Sequence, residues 1–249
     1  MAAPEPAFRI CYLDDSIVVV DKPPGLTTMR HAEEAAEFGS RGRRFLPTTL
    51  ADLLPAALAK RERRPAGRVR PVHRLDKETS GLVVFARDRA AEGHLGKQFR
   101  LHTVERTYLA LVRGSLGDQR IESWLVEDRG DHRRGSAPRT AASKRAVTHV
   151  RVLETIPGYS LLECRLETGR THQVRIHLGE AGAPLCGERV YDRPIHGRPP
   201  ADKSGSPRIA LHAATLGLVH PVTEQMLRWQ SPLPADLASL WKELRRYAR

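Results

Sequence analysis

Three cysteines in 249 residues, Cys11, Cys164 and Cys186, lie too far apart to form a ligand set, and an odd number cannot all pair. That argues against a disulfide-stapled scaffold and a cysteine-based zinc site, and it fits reduced thiols in a cytoplasmic protein. No apolar run approaches the roughly 20 residues that a bilayer-spanning helix needs. Met1 to Arg9 shows no basic segment followed by an apolar core, so no secretory leader and no membrane attachment are expected. Walker and dinucleotide glycine signatures are missing, as is any metal-ligand spacing, so no cofactor or metal is expected. No internal repeat and no long heptad pattern occur, which gives no reason to expect a coiled-coil dimer or a protein partner.

The composition is that of a folded protein, 40% hydrophobic and 28% charged. The length allows one large domain or two small ones with a real core. We read it as one domain over residues 1–249, with a core at about 10–230 and a terminal helix at about 236–247. The charge balance is uneven: 41 Lys plus Arg against 29 Asp plus Glu, a net +12. Such an excess favours polyanions, and the preference for Arg over Lys suits bidentate phosphate contacts and stacking on bases. A compositional bias toward Arg would explain the ratio but not the net charge.

Ile17 to Val20 is a β-branched run that stops at Asp21-Lys22-Pro23-Pro24-Gly25, which predicts a buried strand entering a turn. A helix is expected over Thr49 to Lys60, with Leu50, Leu53, Leu54 and Leu58 on one side. Another should follow the N-cap Asp88 to about His102, with Leu95 and Phe99 on its buried face. Strands are expected at 82–86, 107–113, 147–153 and 159–166, the last two joined at Pro157-Gly158, and an extended segment at 209–219. Thr171 is a candidate cap for a short helix to about Glu180. Asp236 to Tyr247 reads as an amphipathic helix carrying Leu237, Leu240, Trp241 and Leu244. Residues 30–47, 61–70, 115–143 and 192–208 read as loops or connectors, three of them rich in basic residues. Strands adjacent in sequence, without steady βαβ alternation, predict an α+β fold with a mixed, mainly antiparallel sheet, flanking helices and long loops.

Two clusters carry the chemistry. His73-Arg74-Leu75-Asp76-Lys77-Glu78-Thr79-Ser80-Gly81 sets a carboxylate beside an arginine in a turn just before the apolar run Leu82 to Ala86. An Asp there can act as nucleophile, base or ligand, or merely close an Asx-turn. Glu167 to His177 places Arg170 and Arg175 around a turn near a helix start, where either can hold a carboxylate ionised or grip a phosphate. Tyr108, in a strand after Arg106, can wall a pocket. His172 and His177 stand five apart without a third ligand nearby and read as structural.

Together these segments resemble the RluA-type pseudouridine synthases. Val20 to Leu26 is similar to that family's V-D-K-P-x-G-L, and His73 to Gly81 matches H-R-L-D-x-x-T-S-G at every fixed position. Arg106-Thr107-Tyr108-Leu109-Ala110 is similar to K-x-Y-x-A, with Arg for the usual Lys. Gly169 to Arg175 is similar to G-R-T-H-Q-[IVL]-R, and Leu211-His212-Ala213 with His220-Pro221 completes the ordered set. A lone HRLD would be weak; the ordered series is specific.

The resemblance implies cofactor-independent conversion of uridine to pseudouridine within RNA, either transfer or ribosomal. It implies Asp76 as the essential aspartate, Tyr108 as the ring that stacks on the target base and Arg175 as the basic partner of the aspartate. It further implies Arg74 as an arginine that helps displace the target nucleotide and Val174 as an apolar contact to the base. Arg170, His73 and Thr79 are further substrate-binding candidates, His73 also as a brace for its loop. A carboxylate in a dry pocket needs such a cation to stay ionised. Many relatives carry an S4-type RNA-binding domain ahead of the catalytic one; with the first motif at residue 20, none is expected here. RNA selection would then fall to the basic loops 30–47, 61–70 and 129–145. Gly187-Glu188-Arg189-Val190-Tyr191-Asp192 departs from the frequent G-D-x-x-Y-G. Two other classes stay open: a catalytically silent RNA-binding protein, and a glycoside or nucleoside hydrolase using Asp76 and Glu78. Adjacent turn positions rarely give the opposed carboxylates that the latter needs.

Overall fold

Side chains on Ile17 to Val20 are fully buried, which an uninterrupted β-branched run requires when both faces of its strand are covered. The computed structural model describes residues 8–30, 47–192 and 201–247. The chain divides into two units, residues 1–104 with 217–229, and residues 105–216 with 230–249.

In the first unit, β1 (Arg9–Leu13) and β2 (Ile17–Lys22) form an antiparallel hairpin. Asp14 closes its turn by accepting from the Ser16 and Ile17 amides. β3 is the short pair Arg70–Pro71, and β4 (Ser80–Ala86) lies between it and β2, with Lys22 opposite Gly81. Helix α1 (Leu50–Glu62) starts at a capping box: Thr49 Oγ1 accepts from Asp52 N, and the Asp52 carboxylate accepts from Thr49 N. Leu50, Leu54 and Leu58 are buried, but Leu53 is exposed, because it falls off the stripe that those three share. Helix α2 (Arg89–Arg100) is capped by Asp88 through Ala91 N and ends two residues short of the expected His102. Gln98 exchanges two hydrogen bonds with the Val219 backbone, which pins α2 inside this unit.

In the second unit the antiparallel strands β5 (Glu105–Arg113), β9 (Tyr159–Leu166), β8 (Lys144–Ile156) and β6 (Gln119–Val126) lie side by side in that order, and the two-residue β7 (Gly135–Ser136) extends β6. Alternation sends Ala110, Val112, Leu162 and Cys164 to one face, where they pack with Val174 and Leu178 of helix α3 (Gln173–Glu180). Leu111 and Leu161 face the other way, against Leu237, Leu240, Trp241 and Leu244 of helix α4 (Ala235–Tyr247). Strand β10 (Leu211–Val219) is followed by β11 (Met226–Gln230), which pairs with it. The α+β class with a mixed, mainly antiparallel sheet is the architecture found.

Several local expectations need correction. The excursion at 115–143 contains β6 and β7, because Ile121, Ser123 and Leu125 alternate with polar residues on a strand beside β8. Thr171 does not cap α3. His172 occupies the N-cap with a left-handed φ of 59° and no side-chain cap bond. The segment 61–70 is not all connector, since α1 runs through Glu62 and Arg70 joins β3. Strands β1 and β11 had no counterpart in the sequence reading. The loop expected at 30–47 falls almost wholly on 31–46, outside the described residues, as do 193–200 of the loop expected at 192–208.

Candidate active site

The loop 72–79 in the first unit carries Asp76, and its main chain is tied down on both sides of that residue. Lys22 is fully buried at the end of β2. Its Nζ donates to Pro23 O at 2.9 Å, Leu26 O at 2.8 Å and Lys77 O at 3.1 Å. Three carbonyl acceptors match the three N–H bonds of an ammonium, which is how a buried cation is made tolerable. Gly25, at φ +79°, turns its amide onto the same Lys77 carbonyl at 2.9 Å. On the other side, Thr28 Oγ1 donates to Leu75 O at 2.8 Å and accepts from Leu75 N at 3.1 Å. Thr79 N donates to Asp76 O at 3.1 Å and closes the turn. The motif at 20–26, with Thr28 just after it, and the motif at 73–81 thus form one clamp around a half-buried Asp76.

Arg74 is half-buried on this loop. The His73 ring stacks on Phe99 at 4.5 Å, and its Nε2 accepts from Val84 N at 3.0 Å. That bond puts the neutral ring's proton on Nδ1. Thr79 is buried, and its hydroxyl has no hydrogen-bond partner among the described residues.

The second unit holds the remaining candidates. Half-buried Tyr108 on β5 stands opposite Cys164 and packs against the cluster that contains Val174. Buried Arg106, two residues earlier, lies over Gly169. A Cβ at that glycine would come within 2.2 Å of Arg106 Nη1, so any larger residue there would require the buried guanidinium to move. Burial pulls the Arg106 guanidinium below its ordinary value; Tyr108 opposes this, and Arg170 adds to it. Arg170 donates through Nε to Arg145 O at 3.0 Å. Gln173 fastens the start of α3: Oε1 accepts from Thr168 Oγ1 and Arg170 N, and Nε2 donates to Val147 O and Thr148 Oγ1.

Arg175 is buried on α3. Its Nε and Nη2 donate to Glu188 at 2.8 and 2.9 Å, and its guanidinium lies 5.0 Å from the Tyr191 ring centre. Burial pushes the Glu188 carboxyl up, but Arg175 and the Val190 and Tyr191 amides more than offset it, and the net direction is down. Glu188 therefore stays ionised. The sequence marked this segment only as a departure from a motif, and Lys22 only as a motif letter. Neither marking shows the contacts these residues make.

His172 Nδ1 lies 2.6 Å from Tyr191 OH, and His177 sits between Thr148 Oγ1 and Ser123 Oγ. Burial pushes His177 down to about 4. No group of three metal-ligating side chains occurs among the described residues, and no helix there is long and apolar enough to cross a membrane.

Much of the basic charge is locally spent. Arg129 is buried on Asp131 and Glu180, Arg134 pairs with Glu127, and Arg145 pairs with Glu122. Arg64 pairs with Asp15 and Glu62. Arg61, Arg63 and Arg68 remain exposed, and Arg139 is exposed over Trp124 at 4.8 Å.

The family model described as RNA pseudouridylate synthase matches residues 16–180. Ribosomal large subunit pseudouridine synthase D of Nitrosomonas europaea is 40% identical over 239 residues, 96% of this chain and 65% of that protein. The protein of the same name from Zymomonas mobilis is 35% identical, over 95% of this chain and 73% of its own length. The solved structure of human RNA pseudouridylate synthase domain containing 4 aligns with a TM-score of 0.75 at 24% identity, covering 95% of this chain and 92% of that one, a likeness of fold. The chain spans 65% of the Nitrosomonas protein and 63% of the Neisseria meningitidis serogroup A protein of the same name.

Proposed function

The chain belongs to the RNA pseudouridylate synthase family, RluA type, and we propose that it isomerises uridine to pseudouridine within RNA, with large-subunit ribosomal RNA as the substrate class. The observation that carries this reading is the clamp on both neighbours of Asp76, Thr28 on Leu75 and Lys22 with Gly25 on Lys77. A carboxylate on a main chain fixed at both sides meets its target with little orientational freedom left to lose.

In this reading the N1–C1′ bond of uridine breaks, the uracil turns over, and C5 bonds to C1′. The C5 proton leaves and N1 gains one, so product and substrate are isomers. That balance consumes no oxidant, reductant or energy donor, and the reaction needs no cofactor. Asp76 supplies the catalytic carboxylate, as nucleophile or as base, and Arg175 is the cation that serves it. The target base has to leave its stack before it can react. Tyr108 offers a ring for that base, Val174 of the same apolar cluster offers a wall, and Arg74 assists displacement. Arg170, His73 and Thr79 stand as secondary candidates for substrate contact.

The test is incubation with ribosomal and transfer RNA transcripts followed by mass-spectrometric mapping of pseudouridine. The wild type is expected to convert uridine in ribosomal RNA. Asp76→Asn should yield no product while its RNA Kd stays within about threefold of wild type. Product in transfer RNA alone would change the substrate class. Free uracil would identify a hydrolase, and binding without product would identify a silent RNA-binding protein. Asp76→Asn protein with undiminished activity would remove Asp76 from the chemistry.

A further inference from the structure

His172, Arg175 and Gly179 recur at the spacing of one face of α3, and one loop, 187–191, is built onto all three. Gly187 opens the loop at φ +78°, where a Cβ would lie 2.0 Å from Arg208 O. Glu188 follows, its side chain fully enclosed. Its Oε1 accepts from the Arg189, Val190 and Tyr191 amides at 3.1, 2.9 and 3.3 Å and from Arg175 Nη2 at 2.9 Å. Its Oε2 accepts from Arg175 Nε at 2.8 Å. The backbone amides prevent this carboxylate from swinging, and the two parallel bonds set the guanidinium plane. Tyr191 lies beneath that plane, held by His172 at its hydroxyl and packed at its carbonyl against Gly179, where a Cβ would be 2.0 Å away.

We propose that Glu188 is the positioning residue for Arg175, and that with Tyr191 it fixes the place and plane of the guanidinium before substrate binds. The proposal rests on the reading of Arg175 as the cation that serves the catalytic carboxylate. A carboxylate that only closed its own loop would need the three amides and no guanidinium. The bidentate pair couples that loop to Arg175, and it engages the Nε and Nη2 edge, so any further contact falls to Nη1 and the second N–H of Nη2.

The test combines a rate with a spectroscopic signature. Glu188→Gln can keep an oxygen at the Oε1 position but sets its NH2 against the Arg175 Nε–H, and should slow single-turnover pseudouridine formation by at least about tenfold with little change in RNA Kd. Glu188→Asp should fall between wild type and Glu188→Gln. With Arg175→Met already in place, Glu188→Gln should cost less than about a further twofold, because a positioning residue has nothing left to position. By NMR, the Arg175 Nε–H should exchange slowly in the wild type, faster in Glu188→Asp and fastest in Glu188→Gln. Equal rate losses with and without Arg175, or slow exchange and full rate in Glu188→Gln, would overturn the proposal. Should Glu188→Gln fail to fold, Glu188→Asp decides, and unchanged exchange there is the contrary result. A wild type that makes no pseudouridine from any RNA would instead refute the proposed function, and the exchange rates would still decide whether Glu188 holds Arg175.

Discussion

Lys22→Met is the sharpest probe of the clamp around Asp76. The substitution keeps the length of an unbranched side chain and removes the ammonium. Three carbonyls, of Pro23, Leu26 and Lys77, lose a donor that they share inside the protein. Lys77 O still accepts from the Gly25 amide, so two carbonyls lose their donor outright; at about 1–3 kcal/mol for each buried acceptor left without a partner, the gross loss is about 2–6 kcal/mol. Part returns because no cation has to be desolvated, and the net expectation is about 2–4 kcal/mol. For a chain of this size that lowers Tm by about 4–16 °C. Scanning calorimetry measures it directly. Lys77 O keeps only the Gly25 amide of these two donors, so the main chain beside Asp76 loosens and single-turnover product formation slows. RNA affinity should hold, because the ammonium is buried and touches no solvent. A Tm within about 2 °C of wild type would show that Lys22 does not hold this loop.

Three further outcomes follow from the geometry. Gly169→Ala puts a methyl group where Arg106 Nη1 now lies; the displacement should cost about 1–3 kcal/mol in urea unfolding and reduce activity through the neighbouring Tyr108, and an unchanged midpoint would contradict the packing. His177, pushed by burial from 6.5 to about 4, binds a proton more readily in the unfolded chain than in the folded one. Its contribution is therefore full above pH 6.5 and is lost as pH falls toward 4, by about 3 kcal/mol, and His177→Gln should flatten the stability profile across that window. RNA affinity should fall steeply with salt, and replacing exposed Arg61, Arg63 and Arg68 with Ala should reduce the log–log slope by up to about 2; a slope identical to wild type would take that segment out of the interface.

Local signals in this chain were legible because they depend on neighbours in sequence. The run Ile17 to Val20, the helix expected from Thr49, the cap at Asp88, the Pro157-Gly158 turn and the apolar stripe of α4 each formed an element where expected. Strand β6 was not legible, because Arg120 and Glu122 on one face and Ser123 on the other interrupt its apolar pattern. Thr171 looked like a cap by residue type, yet the backbone turns at His172, and Gln173 makes the bond to the Arg170 amide instead.

The order and spacing of motifs identified the family and marked Asp76, Tyr108 and Arg175 as candidates without coordinates, because residue types at fixed spacing are read along the chain. Tertiary structure decided which charges are enclosed and by what. Lys22 meets a carbonyl 55 residues away, and Arg175 meets a carboxylate 13 residues away. Whether a charged side chain is solvated or clamped depends on dielectric and on partners brought close by folding. Those are properties of position in space, and the linear chain does not encode them residue by residue.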